Sequence, residues 1–216
     1  MLLQRVVESD DVVLWPALLL ETVGTVSSPK SNFTFNLKDS FLSVLETLKY
    51  AHSQGIIHND IRPENIIILE GGKWLLIDWA AAWELKSDEE VKREYFGCVT
   101  FASDLVLTQL AECRESVRDD NSYMYVINAP SILSDIISLF RTQYVFTFRI
   151  SNKELDDLMN RRVREDFIGI RTWWKRHLSK QAQETEAKLI EAFSVNPQSI
   201  HGIAANLAQE LFPEII

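Results

Sequence analysis

The sequence predicts an α+β fold in which helices dominate and the few strands come early in the chain. Two observations support this prediction. Short apolar runs rich in Ile, Leu and Trp occur between residues 66 and 77, and they flank a Gly-Gly pair. Beyond about residue 80, apolar residues recur at three- and four-residue steps, which is the spacing of one helix face. Strands followed by a helical majority are typical of an α+β arrangement.

Composition and charge narrow the class of protein. The chain has 216 residues, 46% of them hydrophobic, which is enough to bury the core of one ordinary domain. Because no run of about 18 apolar residues occurs, we expect no segment that spans a membrane. The formal net charge of −9 disfavours a nucleic-acid partner.

The cysteines and the first residues bear on location. Cys98 and Cys113 are too few for a disulfide framework and do not have the spacing of a metal site. The first ten residues lack the basic region and cleavage site of a secretory leader. We therefore expect an intracellular protein, cytoplasmic or nuclear, in a reducing compartment.

The first part of the chain predicts a strand, a loop and a helix. The apolar run at residues 12–20 predicts a strand, and the Ser- and Pro-containing stretch that ends at residue 32 predicts a loop. Helical spacing then begins, and six residues share one apolar face: Leu37, Phe41, Val44, Leu45, Leu48 and Ala51. This helix is predicted to end at Ser53, with Gly55 placed to stop it.

A β-hairpin is predicted after this helix. The apolar residues 66–69 and 74–77 flank Gly71-Gly72, and a Gly-Gly pair between two such runs is a hairpin signal. The helix therefore leads into polar residues 58–65, and the hairpin leads from that segment to Asp78.

Later segments are predicted to be mainly helical. Helices are predicted at residues 131–144, 184–193 and 203–211. One face of the first of these carries Ile132, Ile136, Leu139 and Phe140. Polar residues 114–128 predict a surface loop or a poorly ordered insert, and residues 88–94 predict a solvated loop or a short helix.

Aromatic and histidine side chains outside these segments receive structural interpretations. Trp173 and Trp174 are predicted to lie in the core. The remaining histidines lack metal-ligand spacing, and we interpret them as surface residues or hydrogen-bonded core residues: His52, His177 and His201.

The residues that indicate chemistry lie in one polar segment and one later aspartate. The segment reads His58-Asn59-Asp60-Ile61-Arg62-Pro63-Glu64-Asn65, and Asp78 follows the hairpin. Phosphoryl transfer needs a carboxylate that orients the attacking hydroxyl, oxygen ligands for Mg²⁺, and positive charge near the moving phosphate. Residues of these types are present here: Asp60, Arg62, Asn65 and Asp78.

This segment resembles the catalytic loop of protein kinases, which usually reads His-Arg-Asp-Leu-Lys-Pro-Glu-Asn. The resemblance implies that Asp60 is the catalytic base and Asn65 a metal ligand. It places Arg62 where a lysine usually meets the transferring phosphate. Asp78-Trp79-Ala80 would replace Asp-Phe-Gly, with Asp78 as the main magnesium ligand and Trp79 in the packing role of the phenylalanine. His58 would brace the loop.

The resemblance extends on both sides of the loop. Residues 18–23 resemble the strand and hinge where kinases hold adenine, which implies that Glu21 and Val23 contact ATP. Residues 95–104 resemble the end of an activation segment. There Ala102-Ser103-Asp104 would replace Ala-Pro-Glu, and the basic partner of Asp104 is not identifiable from the sequence. The stretch that begins at Ser134 resembles the central buried helix, whose aspartate, Asp135, would brace the catalytic loop.

The same resemblance divides the chain into two parts. Residues 1–24 would be a remnant of the N-terminal lobe and hinge, and residues 25–216 would be the helical C-terminal lobe. No Gly-x-Gly-x-x-Gly, no Val-Ala-x-Lys and no partner glutamate helix precede residue 18. We therefore expect a protein-kinase-like fold with a truncated N-terminal lobe, whose missing parts a separate N-lobe or a partner protein would supply.

Several motif positions depart from the family pattern. Asn59 replaces the arginine that usually pairs with a phosphorylated activation loop, so we expect no phosphate-dependent activation. Ala80 replaces a glycine and is expected to restrict the metal-binding turn. Cys98 stands where a substrate-loop threonine is expected, and we interpret it as a small buried hydrophobe. The variant motifs resemble those of divergent fungal kinases and of Crinkler-type effectors.

Three functions fit the motifs. The first is a protein kinase that uses ATP and Mg²⁺ to phosphorylate a protein hydroxyl, with serine or threonine favoured by Pro63-Glu64-Asn65. The second is a pseudokinase or interaction module without catalysis, favoured by the missing N-lobe motifs. The third is a small-molecule kinase, because the residues around Asp60 also resemble choline kinases and those around Asp78 resemble aminoglycoside phosphotransferases. Against the third, no Gly-Asp-Pro follows Ala82.

Overall fold

The computed structural model describes residues 25–26, 37–69, 72–85, 92–116, 125–128, 131–148 and 150–212. The strand predicted at residues 12–20 and the hinge predicted at residues 18–23 lie outside them. A first short strand, β1, is Thr25–Val26. None of the helices in the described ranges is long and apolar enough to cross a membrane.

The first helix, α1, spans Leu37–Ser53, as predicted. The predicted apolar face is confirmed from Phe41 onward, because Val44 and Leu48 are completely buried and its other members nearly so. Gly55 follows the helix with φ +73°, a left-handed conformation that glycine adopts without a steric penalty. The chain can therefore turn sharply into strand β2, Ile56–Ile57.

The predicted hairpin is confirmed. Strands β3, Ile66–Ile68, and β4, Trp74–Leu76, pair antiparallel, and β1 pairs with the other edge of β3. Two serines of α1 attach the helix to this hairpin. The Ser40 hydroxyl donates to the Gly72 carbonyl at 2.8 Å, and the Ser43 hydroxyl accepts from the Trp74 amide at 3.2 Å.

Two further strand pairs correct the sequence predictions. Strand β5, Trp83–Glu84, pairs with β2, and β6, Lys92–Glu94, pairs with β7, Val126–Asn128. Residues 92–94 are thus a strand rather than a loop or short helix. Likewise, residues 114–116 end helix α2, Asp104–Ser116, and residues 126–128 are a strand rather than a loop. The β6–β7 ribbon was not predicted because its strands lie in polar segments and are far apart in sequence.

Helix α3, Ile132–Phe148, lies at the centre of the fold. The sequence predicted one apolar face, but every residue from 134 to 145 is buried. The reason is that α3 packs against both α1 and the last two helices of the described chain. Polar side chains on this helix must therefore find partners inside the protein.

Four helices complete the chain: α4, Asn152–Val163; α5, Phe167–His177; α6, Lys180–Val195; and α7, Ile200–Leu211. The helices predicted at residues 184–193 and 203–211 are confirmed, and each begins earlier than its apolar spacing indicated. Side-chain caps explain the starts of α4, α5 and α6, because a free backbone amide in the first turn of each helix donates to the side-chain oxygen of Ser151, Asp166 or Ser179.

The core contains the aromatic pair predicted to lie there. Trp173 and Trp174 are 2% and 0% exposed. The Trp174 indole donates to the Thr100 carbonyl at 2.8 Å, so its polar atom is satisfied. Phe212 packs between Phe41 and Phe140, with ring centroids 5.8 and 5.5 Å apart.

A buried arginine supplies the partner of Asp104 that the sequence left unidentified. Arg141 of α3 has a side chain only 2% exposed and lies 2.8 Å from both Asp104 Oδ1 and Glu186 Oε1. It also donates to the Ala102 carbonyl and stacks over Trp174. Burial would lower the pKa of Arg141, but Glu186 and Asp104 outweigh this effect and raise it. The arginine therefore joins residues 102–104 to α3 and α6.

Replacing this arginine should be costly. We expect Arg141→Met to lower the free energy of unfolding by about 3–5 kcal/mol, because it leaves two carboxylates without their buried cation. Arg171→Met is the matched control: Arg171 lies 3.2 Å from Asp104 but is 40% exposed. Its loss should cost at most about 1 kcal/mol. Urea denaturation of both variants would measure the difference, and equal losses would contradict the assignment.

Candidate active site

The candidate active site is the polar segment at residues 58–65, which lies between β2 and β3. Its end forms a single turn of 3₁₀-helix, Pro63–Asn65. Near its start, Asn59 has φ +69°, a left-handed conformation that costs free energy for any residue except glycine. The strand pairs hold both ends of the segment, so this conformation is fixed by its surroundings.

Asp60 and Asn65 are locked together. The Asn65 side-chain amide donates to the Asp60 carbonyl at 2.8 Å and to Asp60 Oδ2 at 2.7 Å. Both residues are buried, at 8% and 4% exposure. Because the amide nitrogen is the donor in both bonds, Asn65 Oδ1 must lie on the opposite side of the amide group. That oxygen is the only atom of the side chain suited to bind a cation.

Arg62 accompanies the same carboxylate. Its Nε atom lies 3.4 Å from Asp60 Oδ2, which is an ion pair rather than a hydrogen bond. The Arg62 side chain is 25% exposed, so its charge is only partly screened by solvent. The positive charge of Arg62 thus lies beside the carboxylate of Asp60, which is predicted to act as a base.

The hairpin brings Asp78 to this segment. The Ile77 amide donates to the Asn65 carbonyl at 2.9 Å, so the residue before Asp78 is bonded to a predicted site residue. Asp78 itself has φ 62° and ψ 70°, and its side chain is exposed. Aspartate tolerates this left-handed conformation better than most residues. The backbone strain in this turn therefore lies at Asp78, and Ala80, expected to be restricted, has no positive φ.

His58 links the loop to the hairpin. Its Nδ1 accepts from the Asp60 amide at 3.2 Å, so its Nε2 carries the proton and donates to the Ile77 carbonyl at 3.0 Å. Burial lowers the pKa of His58, against the opposing effects of Asp135, the Ile77 carbonyl, Asp60 and Asp78. The Trp79 ring packs edge-on against the imidazole at 4.5 Å. His58 is thus a neutral side chain that connects the loop to the hairpin through hydrogen bonds.

Asp135 of α3 holds the start of the loop. Its Oδ2 accepts from the His58 amide at 2.7 Å, and its Oδ1 accepts from the Asn59 amide at 2.8 Å. The same Oδ2 lies 3.0 Å from His52 Nε2. The expectation that Asp135 braces the loop therefore agrees with its contacts, and His52 is a hydrogen-bonded core residue, one of the two interpretations given above.

Gly97 belongs to this site, although the sequence did not indicate it. A Cβ atom on Gly97 would lie 2.1 Å from the Asn59 carbonyl oxygen and 2.7 Å from the Tyr95 hydroxyl. Only glycine allows the backbone to approach the loop so closely. Its position inside a stretch that resembles an activation segment is the one sequence signal that could have found it.

Tyr95 was also missed by the sequence interpretation. Burial raises the pKa of its phenol well above the ordinary value, and electrostatic effects of Cys98, Asp60 and Asp135 act in the same direction. Tyr95 therefore stays uncharged. Cys98 is 7% exposed, as expected of a small buried hydrophobe.

The donor set fits one kind of metal site. Among the described residues, no three His, Cys, Asp or Glu side chains converge to hold an ion. Asn65 Oδ1 and the Asp78 carboxylate are hard oxygen donors that the hairpin brings together. Mg²⁺ typically takes one or two protein carboxylates and completes its shell with water and phosphate oxygens. The residues present fit such a phosphate-bridging Mg²⁺ and do not fit an all-protein cage.

The sequence-predicted site is therefore assembled from four of its six residues. Asp60 contacts Arg62 and Asn65 directly, and Asp78 joins them through the backbone of Ile77. The two residues predicted to contact ATP lie outside the described residues: Glu21 and Val23.

The helix-dominated fold and this loop are consistent with an α+β, protein-kinase-like fold. The sequence model of the protein kinase domain family matches residues 18–167, which is more than half of the chain. The chain therefore belongs to the protein kinase domain family, and the prediction of an α+β, protein-kinase-like fold is confirmed.

Individual relatives share shorter segments with the chain. Serine/threonine-protein kinase PknD of Protochlamydia amoebophila is 45% identical over 42 residues, 19% of this chain and 4% of the relative. 3-phosphoinositide-dependent protein kinase 1 of Rattus norvegicus is 32% identical over 75 residues, 34% of this chain and 13% of the relative. Serine/threonine-protein kinase D of Synechocystis sp. is 45% identical over 62 residues, 28% of this chain and 10% of the relative. The matched segments are thus small parts of these relatives.

The close approach at Gly97 leads to a direct test. We expect Gly97→Ala to lower the free energy of unfolding by about 1–3 kcal/mol, because the new methyl group would overlap the Asn59 carbonyl. Gly202→Ala is the control: no atom lies within 4 Å of a Cβ at Gly202, which is inside α7. That variant should be neutral or more stable by up to about 1 kcal/mol. Urea denaturation measures both, and a neutral Gly97→Ala would disprove the close contact.

Proposed function

We propose that this chain carries the catalytic part of a protein kinase, which transfers the γ-phosphate of ATP to a hydroxyl group of a protein. One observation supports this proposal above all others. The Asn65 amide is bonded to the Asp60 carboxylate, and the hairpin bonds the neighbour of Asp78 to Asn65. The proposed base and the two proposed metal donors are thus linked by hydrogen bonds, and a purely structural domain would not need this polar group.

Asp60 would act as the general base. Its carboxylate is held by Asn65 and Arg62, so it needs little reorganisation before it accepts a proton. The proton of the substrate hydroxyl would pass to an Asp60 oxygen while the hydroxyl oxygen attacks the γ-phosphorus. The new O–P bond forms as the bond to the departing ADP oxygen breaks. Arg62, whose Nε atom lies 3.4 Å from Asp60 Oδ2, would stabilise the charge of the phosphoryl group during this transfer.

Asn65 and Asp78 would hold Mg²⁺. When bound, Mg²⁺ neutralises the negative charge of the phosphates and orients them for in-line attack. The protein contributes the direction of the two oxygen donors. The bonds from the Asn65 nitrogen turn Oδ1 away from Asp60, and the left-handed backbone of Asp78 is held by the hairpin.

We further propose serine or threonine hydroxyls as the acceptors. Pro63-Glu64-Asn65 has the form usual in that branch of the family, and the relatives described above are named as serine/threonine kinases or as a phosphoinositide-dependent protein kinase. The family match favours a protein acceptor over the small molecules of choline or aminoglycoside kinases.

We propose that residues 1–24 contribute the hinge, with Glu21 and Val23 at the adenine. The 216 residues contain no Gly-x-Gly-x-x-Gly, the segment that covers the phosphates in protein kinases. Turnover would therefore need such a segment from outside these 216 residues, for example from a separate N-lobe or a partner protein. If no such element exists, the preserved loop would serve a pseudokinase that binds but does not transfer phosphate.

Magnesium-dependent ATP binding is the first test. We expect calorimetry on the purified chain to detect ATP binding only with Mg²⁺, and Asp78→Asn to weaken it at least about tenfold, or ~1.4 kcal/mol. Asp156→Asn, on the exposed face of α4, should leave the affinity unchanged. Equal affinity in the Asp78 and Asp156 variants would remove Asp78 from the proposed metal site.

Phosphate transfer is the second test. With labelled ATP and a serine/threonine peptide library, Asp60→Asn should lower kcat by about 10²–10⁴-fold and leave Mg²⁺-ATP affinity unchanged, because asparagine keeps the bond to Asn65 but cannot take the proton. Binding without transfer in the unaltered chain, even after addition of a separate N-lobe, would favour the pseudokinase instead.

A further inference from the structure

A chain of hydrogen-bonded side chains runs from helix α7 to the catalytic loop. His201 Nε2 lies 2.7 Å from His52 Nδ1, and His52 Nε2 lies 3.0 Å from Asp135 Oδ2. Asp135 then accepts the backbone protons of His58 and Asn59. Three helices, α7, α1 and α3, therefore contribute one side chain each to a continuous path that ends at the loop.

The bond at the inner end of this path has a fixed direction. Both Asp135 oxygens accept backbone N–H groups, so His52 Nε2 donates to the carboxylate. At the outer end, His52 Nδ1 and His201 Nε2 share one hydrogen bond of 2.7 Å, which orients the His52 ring whichever nitrogen carries the proton.

The surroundings of His201 keep it neutral. Burial, followed by the neighbouring His52 and Lys49, lowers its pKa to about 4, and Glu46 opposes these effects. His201 is only half-buried, at the outer end of the path, whereas the side chains of His52 and Asp135 are each 1% exposed. His201 is therefore the member of the path nearest to the surface.

We infer that His201 is a positioning residue for the catalytic loop. Its effect on catalysis rests on the proposed function. It holds the His52 ring in the orientation in which Nε2–H meets Asp135. Asp135 in turn holds Asn59 in its left-handed conformation, which carries backbone strain. We expect Asn59 to leave this conformation if the Asp135 carboxylate turns away. Asp60 follows directly and depends on that conformation.

The test compares variants of the full chain. His201→Phe keeps an aromatic ring but removes the hydrogen-bond partner of His52 Nδ1, and His201→Gln restores a hydrogen-bonding group of similar reach. His177→Phe is the control, because His177 is another half-buried histidine, stacked on Trp173 and outside the path. Hydrogen exchange and ¹⁵N shifts of the His58 and Asn59 amides report on the loop without any need for activity.

We expect His201→Phe to speed exchange at these two amides by roughly 2- to 30-fold, the usual range for coupling through a packed network. His201→Gln should restore slow exchange, and His177→Phe should leave both amides unchanged. Three results would overturn the inference: unchanged exchange in His201→Phe, equal acceleration at all core amides, or a glutamine variant as fast as the phenylalanine variant.

Kinetics provide the second readout. If the chain transfers phosphate, kcat of His201→Phe should fall while KM for ATP stays constant, since the loop and not the nucleotide site is disturbed. A changed KM with constant kcat would contradict the inference. If the unaltered chain transfers no phosphate even with a separate N-lobe, the proposed function fails, whereas the exchange measurements still decide the role of His201.

Discussion

The Asp135 carboxylate is the interaction on which the site depends. It accepts three bonds, from the amides of His58 and Asn59 and from the His52 ring. Without it, two buried backbone N–H groups would lose their partners, at a cost of about 1–3 kcal/mol each. Because residues 134–145 of α3 are all buried, Asp135 has little freedom to move, and the loop takes its position from a buried helix.

Backbone strain is concentrated where the chemistry is proposed. Within the described part of the chain, three non-glycine residues have positive φ, namely Asn59, Asp78 and Glu165, and two of them belong to the candidate site. Such conformations persist only when the surroundings fix them. At Asn59 the fixing group is Asp135, and at Asp78 it is the hairpin. The strain therefore sets the directions of the Asp60 and Asp78 side chains before any ligand arrives.

The sequence was most informative where the pattern is local. The spacing of α1, the Gly-Gly hairpin and the polar loop were each predicted within a residue or two, because each depends on neighbours in the chain. The ribbon of β6 and β7, the partner of Asp104 and the close approach of Gly97 were not predicted. Each depends on a contact between segments far apart in sequence, and no short-range period records such a contact. The full burial of α3 was missed for the same reason.

The segment at residues 95–103 is fastened at both of its ends. On one side it continues from the β6–β7 ribbon, where the Tyr95 amide donates to the Tyr125 carbonyl at 2.8 Å. On the other side Arg141 holds Ala102 and Asp104. A segment anchored in this way can move outward only if β6 and β7 separate or the buried charge of Arg141 becomes exposed. Residues 95–103, which approach the loop at residues 58–65 through Gly97, are therefore a fixed surface, and regulation at this surface would act on what binds there rather than on movement of the segment.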